Sequence, residues 1–195
     1  MTITSPILLD LPMSIQTKRL LLQQVKAGDG KAINEAVVES WDLLKKWLAW
    51  AQGDIQQPTE TEEIVRKFHA DFILRKGVHL AIFYNDQFVG MCGFRRIDWE
   101  TSSADIGYWI RKSAQRQGFA REAVAALTRY GFKEMHLRRI TISIDDENKR
   151  SIAVAENLGF DLEARALGLV HPIRPNGPLP IGRIYARFDD KNLPF

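Results

Sequence analysis

At 195 residues the chain is long enough for one domain with a substantial buried core, and 45% hydrophobic with 26% charged residues is the balance of an ordinary globular protein. Lys plus Arg number 27 against 24 Asp plus Glu, so charge alone makes no case for nucleic acid. The sequence pI of about 9.0 and the doublets Arg95-Arg96, Arg111-Lys112 and Arg138-Arg139 favour a smaller anionic ligand. Cys92 is the only cysteine, which excludes an internal disulfide and a Cys-based metal cluster; no apolar run approaches a membrane span, and no basic segment with a long apolar core opens the chain, so a reducing, cytoplasmic setting is expected.

Residues 1–14, with Pro6 and Pro12, read as a loosely ordered lead-in. Lys18 to Val25 contains Leu20-Leu21-Leu22, a first strand. Asp29 is placed to cap a helix that carries Ala32, Ile33, Ala36 and Val37 on one side. Three of the five tryptophans, Trp41, Trp47 and Trp50, follow within ten residues. Thr59-Glu60-Thr61-Glu62 matches a capping box, with Ile64, Val65, Phe68, Phe72 and Ile73 as the apolar stripe behind it and Gly77 as the stop. Val78–Tyr84 and Phe88–Ile97 flank Asn85-Asp86-Gln87 as a hairpin. After the polar stretch from Asp98 to Ser103, Asp105–Ile110 is apolar and aromatic enough for a buried strand. Arg139 to Ile144 alternates, with Ile140, Ile142 and Ile144 on one face. Ile152, Ala155 and Leu158 mark a short helix stopped by Gly159. An extended stretch over 162–170, a loop holding Pro172, Pro175, Pro178 and Pro180, and a strand at Ile184–Phe188 complete a chain without repeats or linkers, read as one domain over 1–195.

The centre of the pattern is the passage from the strand at Asp105 into a helix. Ala120, Val124, Leu127 and Gly131, with Ala123 and Tyr130 beside them, form one helical face, and Arg121, Glu122, Thr128 and Arg129 fall on the others. Between strand and helix lies Gln115-Arg116-Gln117-Gly118-Phe119-Ala120. A strand that hands over to a helix through a basic, glycine-bearing turn offers free N–H groups, the positive end of a helix dipole and a residue without Cβ where an anion approaches. The turn is neither a P-loop nor a dinucleotide fingerprint, since the spacing of glycines and the Lys-Ser/Thr pair are missing.

Gln-x-x-Gly-x-Ala resembles the pyrophosphate loop of the GNAT superfamily of acyl-CoA N-acyltransferases, and five further stretches resemble the RimJ/RimL branch of that family in the same order. They are Thr17-Lys18-Arg19-Leu20-Leu21-Leu22, Trp47-Leu48-Ala49-Trp50, Phe88-Val89-Gly90 through Gly93-Phe94, Ala104-Asp105-Ile106-Gly107-Tyr108-Trp109-Ile110, and Asn148 to Phe160 with Ser151 and Gly159. The resemblance implies the GNAT fold: a mixed, mostly antiparallel sheet of about seven strands flanked by helices and split between strands 4 and 5, where acetyl-CoA lies. It implies that the turn from Gln115 through Arg116, Gln117, Gly118, Phe119 and Ala120 to Arg121 holds the pyrophosphate, that backbone groups of Trp109 and Ile110 pair with the pantetheine arm as an added strand would, and that Asn148 lies beside that arm. It also implies a homodimer; no metal is expected because no set of His, Asp and Glu has ligand spacing, and neither nucleic acid nor membrane is expected as partner because the basic residues are dispersed and no apolar run is long enough.

For the chemistry, the resemblance aligns Asp105 with a carboxylate that serves as base in relatives, one methylene shorter than the usual glutamate; the plain reading is a solvated carboxylate at a strand start. Ser151 matches the serine that protonates the leaving thiolate, and read plainly it is a first-turn helix serine. Tyr108 and Tyr130 remain candidates for the same acid. His171 falls near a second acid/base position, or is a structural loop histidine before a proline. Trp41, Trp47 and Trp50 divide between core packing and an aromatic wall for the acceptor. His69, His79 and His136 read as surface or packing residues. The implied activity is acetyl transfer from acetyl-CoA to a primary amine, with a protein N-terminus, a small or antibiotic-like amine, and a non-catalytic CoA-binding regulator as the readings to separate.

Overall fold

The computed structural model describes residues 5–172 and 177–194. The first four residues of the lead-in, and Pro175 of the proline-bearing loop, lie outside the described residues. Eight strands, β1 (Ser14–Gln16), β2 (Leu20–Gln24), β3 (Val78–Tyr84), β4 (Gln87–Asp98), β5 (Ser103–Ile110), β6 (Arg139–Asp145), β7 (Asp161–Leu167) and β8 (Ile181–Arg187), form one sheet in the order β1-β2-β3-β4-β5-β6-β8-β7. The helices are α1 (Gly30–Trp47), α2 (Pro58–Ile73), α3 (Phe119–Lys133) and α4 (Lys149–Asn157). All pairings are antiparallel except β5 with β6. The strand beyond the expected seven is β1, three residues laid antiparallel on β2, so the expected fourth and fifth strands are β5 and β6.

The parallel pair is short. Ser103, Ala104 and Asp105 meet Arg139, Ile140 and Thr141, and beyond Asp105 the two strands have no further partners in each other. β5 runs on to Ile110 along β4 alone, while β6 runs on to Asp145 along β8. The sheet therefore opens in its middle rather than at its rim.

Alternation along the strands separates two cores. Leu80, Ile82, Phe94, Ile106, Ile140 and Ile142 face α3 and α4, joined by Val124, Leu127 and Ile152. Ala81, Phe88 and Met91 face α1 and α2, joined by Ile33, Ala36, Val37 and Val65. The hairpin between β3 and β4 turns on Asn85 and Asp86, both in left-handed conformation (φ 48° and 61°), as a tight two-residue turn requires.

Several local expectations are corrected. Asp29 does not cap α1 with its side chain; its carboxylate accepts the Lys26 N–H at 2.8 Å, and Glu62 from α2 takes the N–H groups of Gly28 and Gly30. Ala32 is exposed, and Asn34 and Ser40 are buried instead. The capping box of α2 starts two residues early: Gln57 is the cap, its N–H bonds Glu60 at 2.6 Å, and Pro58 fills the first helical position. Arg75 (φ 58°), not Gly77, takes the left-handed position after α2; Gly77 is needed because a Cβ there would sit 2.7 Å from the His79 ring. Glu122 and Thr128, expected off the apolar face of α3, are fully buried as well. From Leu9 onward the expected loose lead-in is held: Arg75 donates to Leu9 O, Leu11 is buried, and Tyr130 donates to Pro12 O at 3.0 Å.

Candidate active site

The turn between β5 and α3 is built as an anion cradle. Arg116 (φ 64°) and Gly118 (φ 79°) both adopt left-handed conformations and bend the chain into the helix at Phe119. The N–H groups of Arg116, Gln117, Gly118, Phe119 and Ala120 have no hydrogen-bond acceptor among the described residues; the first helical bond there runs from Glu122 N to Gly118 O. A Cβ built on Gly118 would face open space, with only the Arg19 guanidinium 3.4 Å away. Such a cluster of forward-pointing N–H groups at a helix start suits a phosphate.

Long-range bonds fix the turn. Thr17 Oγ1 donates to Glu122 at 2.7 Å, Arg19 donates to the same carboxylate from both its backbone N–H and its guanidinium, and Arg19 Nη1 reaches Gln117 O at 2.9 Å. Burial pushes the Glu122 carboxyl up, but the Thr17 and Arg19 bonds outweigh it, and the group is held below the ordinary glutamate range. Arg150 of α4 donates to Gln115 Oε1 at 3.0 Å and brings another cation to the turn. On the other side, Glu39 of α1 accepts from Arg111 and from Ser113 N, and Ser40 accepts from Lys112 N, stapling α1 to the end of β5.

The free edge of β5 has a definite polarity. Arg111 N bonds Val89 O at 2.8 Å, and the Trp109 carbonyl points at Gly90, so the polar groups of these alternate residues face β4. Those of Tyr108 and Ile110 therefore face the opening. Of the expected backbone pair, Trp109 turns its polar groups to β4, whereas those of Ile110 face the opening, its carbonyl also accepting from Gln115 Nε2 at 3.3 Å.

A cavity of about 830 Å³ adjoins the opening on the α1/α2 side of the sheet. Trp47 and Trp50 line it, while Trp41 packs at a tilt against Trp50 and on the core under α1. Asp105, on the floor, is almost fully buried. Its Oδ1 accepts from Thr141 and Ser143 hydroxyls, each at 3.0 Å, and its Oδ2 accepts from Arg95. The carboxylate is thus paired and bonded rather than solvated. His171 stands exposed at the rim, its Nε2 3.1 Å from Arg96. His79 also borders the cavity, stacked on Phe68; burial pushes its ring down to about 4, so it is neutral at ordinary pH. Burial likewise pushes the Cys92 thiol up and leaves it inert.

At the start of α4, Asn148 is the cap and accepts Ser151 N at 3.2 Å. Ser151 lends its N–H to that cap, which leaves its hydroxyl out of the cap. Tyr108 approaches it from β5, whereas Tyr130 is committed to Pro12 and borders no part of the cavity.

An opened mixed sheet, an anion-suited turn at the start of the helix that follows β5, and a cavity on the far side of the opening are the arrangement of an acyl-CoA transferase. The chain matches the acetyltransferase (GNAT) domain over residues 19–161 and belongs to that family. It is 41% identical over 153 residues to the N-acetyltransferase p20 of Bacillus licheniformis, covering 77% of this chain and 83% of that one. It is 32% identical over 129 residues to the ribosomal-protein-serine acetyltransferase of Escherichia coli strain K12, covering 63% and 72%. Among solved structures, RimL, the ribosomal L7/L12 α-N-protein acetyltransferase in complex with coenzyme A, superposes with a TM-score of 0.82 at 25% identity, over 93% of this chain and 99% of that one. The protein is an N-acetyltransferase that uses acetyl-CoA.

Sequence reasoning missed the supports of the site. Thr17 and Arg19 were visible as a motif without a task; Glu39, Thr141 and Ser143 gave no signal at all, because each acts across 36 or more residues of chain.

Proposed function

We propose that the enzyme acetylates the α-amino group of a protein N-terminus, with ribosomal proteins as the precedent set by its relatives. The observation that carries this reading is the charge of the acceptor cavity. Two carboxylates line it, Asp105 and Asp145, against two arginines, Arg95 and Arg96, and Asp105 is already paired with Arg95. A pocket for a polycationic small amine would present unpaired carboxylates. This one offers apolar and aromatic walls with few polar groups, and its volume suits the first residues of an extended chain.

In this reading Gly118 and the N–H groups around it hold the pyrophosphate of acetyl-CoA, with Arg116 and Arg121 on the same turn, and the opened edge at Tyr108 and Ile110 takes the pantetheine amides. Acetyl-CoA supplies the acetyl group already activated as a thioester. The protein's part is to place the amine against it and to manage protons. Three donors occupy three of the roughly four lone pairs of Asp105, and the remaining one accepts the amine proton, directly or through a water. N–H groups on the β5 edge oppose the developing oxyanion. Ser151 protonates the leaving sulfur. His171, whose Nε2 is shared with Arg96, serves the rim and the acceptor rather than the proton.

The test pairs calorimetric titration of acetyl-CoA with turnover on free peptides. Peptides with a free N-terminal serine or alanine are expected to be acetylated and the same peptides with blocked N-termini are not. Acetylation confined to small polyamines would overturn the acceptor assignment.

A further inference from the structure

Among the described residues one buried side-chain polar atom lacks a hydrogen-bond partner, the hydroxyl of Tyr108. A fold normally satisfies such a group, because the lost hydration is otherwise uncompensated. The other tyrosines in polar surroundings follow the rule: Tyr130 donates to Pro12 O, and Tyr185 donates to Glu156 while accepting from Arg183. Tyr108 also sits where the sheet has parted, beyond the last β5–β6 pair at Asp105. Its ring packs toward the α3/α4 core, and the first turn of α4 brings the Ser151 hydroxyl beside it. The two hydroxyls are close enough to act on each other, yet the Tyr108 oxygen makes no hydrogen bond of ordinary distance and angle.

We propose that Tyr108 is a positioning residue for Ser151, its O–H donating to Ser151 Oγ once that hydroxyl turns toward the leaving sulfur. The inference rests on Ser151 as the proton donor. As the bond from amine nitrogen to acetyl carbon forms, the carbon–sulfur bond breaks and its electron pair stays on sulfur. Sulfur takes the Ser151 proton, the amine's surplus proton leaves on the Asp105 side, and water returns one proton to Ser151, so amine and thioester give amide and thiol with no net gain or loss. Tyr108 keeps its own proton throughout, since burial has pushed its hydroxyl up to about 12 against the opposing pull of Ser151. Its task is to hold the serine rotamer and to stabilise the charge left on Oγ. The hydroxyl is idle in the free protein because its partner arrives only when Ser151 turns.

The discriminating experiment is a double-mutant cycle of Tyr108→Phe and Ser151→Ala, read in kcat, KM for acetyl-CoA, calorimetric Kd and thermal midpoint. Tyr108→Phe is expected to lower kcat by about tenfold to a hundredfold, the range for a hydrogen bond to a charged group, with Kd for acetyl-CoA unchanged within about twofold. Its thermal midpoint should equal or exceed the parent's, because the change deletes a buried hydroxyl that pairs with nothing in the fold. In the Ser151→Ala background the same change should alter kcat by less than about twofold. A normal kcat in Tyr108→Phe while Ser151→Ala is impaired, or full multiplication of the two losses, overturns the coupling. A normal kcat in Ser151→Ala overturns the donor role of Ser151, and the proposal with it.

Discussion

Gly118 and Glu122 stand four residues apart and show how differently two residues of one turn announce themselves. Gly118 was legible as a turn residue because its reason is local: a left-handed φ of 79° with open space beside its α-carbon, needing nothing from elsewhere in the chain. Replacing it with aspartate puts a carboxylate and a Cβ into that space, and calorimetry is expected to show acetyl-CoA binding lost; an unchanged dissociation constant would remove the turn from the site. Glu122 was legible only as a residue off the apolar face of its helix, and its burial was not, because its donors lie 103 and 105 residues earlier, at Arg19 and Thr17. Its folded carboxyl titrates below the ordinary glutamate range, so its bonds add stability at and above that range and lose it as the pH falls through the lowered value. Arg19→Ala removes the guanidinium bond to Glu122 together with the prop under Gln117 O, and leaves the backbone N–H bond in place. Acid titration followed by circular dichroism should place its unfolding at higher pH than the parent's, and acetyl-CoA affinity should weaken in parallel. Asp105 repeats the lesson. Its type and strand were legible, but its three donors come from β4 and β6, which no local pattern reveals. Asp105→Asn is expected to lower kcat while acetyl-CoA affinity is kept; an unchanged kcat would show deprotonation by water alone.

At the scale of elements, periodicity located strands and helices well and their ends poorly. The alternation of Ile140, Ile142 and Ile144 and the apolar stripe of α3 are repeated signals, each position confirming the next. Helix ends depend on one or two bonds, and here these cross between helices: Glu62 of α2 serves the start of α1, which freed Asp29 to bond backward. The seat of α3 on the sheet is close enough to make a prediction. A Cβ at Gly131 would lie 2.7 Å from both Ile140 and Phe94, so the helix rests on the sheet through a residue with no side chain. Gly131→Val should push α3 off the sheet and cost about 1–3 kcal/mol or more by overpacking, measured in denaturant titration. Since α3 carries Phe119 and the turn before it, acetyl-CoA affinity should fall as well.

Over the whole molecule, family motifs made the architecture legible, because they mark the parts that touch a ligand or tighten a turn. The cavity beside the opening was less so, being assembled from α1, α2, the stretch between them, β3 to β6 and residues 168–171. The parting of β5 and β6 has a consequence for how the molecule holds together. Most proteins keep unpaired strand edges at the margin of a sheet; here the unfinished edge lies in the interior, with the Tyr108 and Ile110 amides turned toward it. Amide exchange at these two positions should be fast in the free protein and slow with acetyl-CoA, while β3 amides stay unchanged. Ligand at a hundred times its dissociation constant should add about 2.7 kcal/mol of stability. Resistance to heat then becomes a gauge of how much acetyl donor surrounds the protein, and a starved molecule is also the one most open to unfolding and proteolysis.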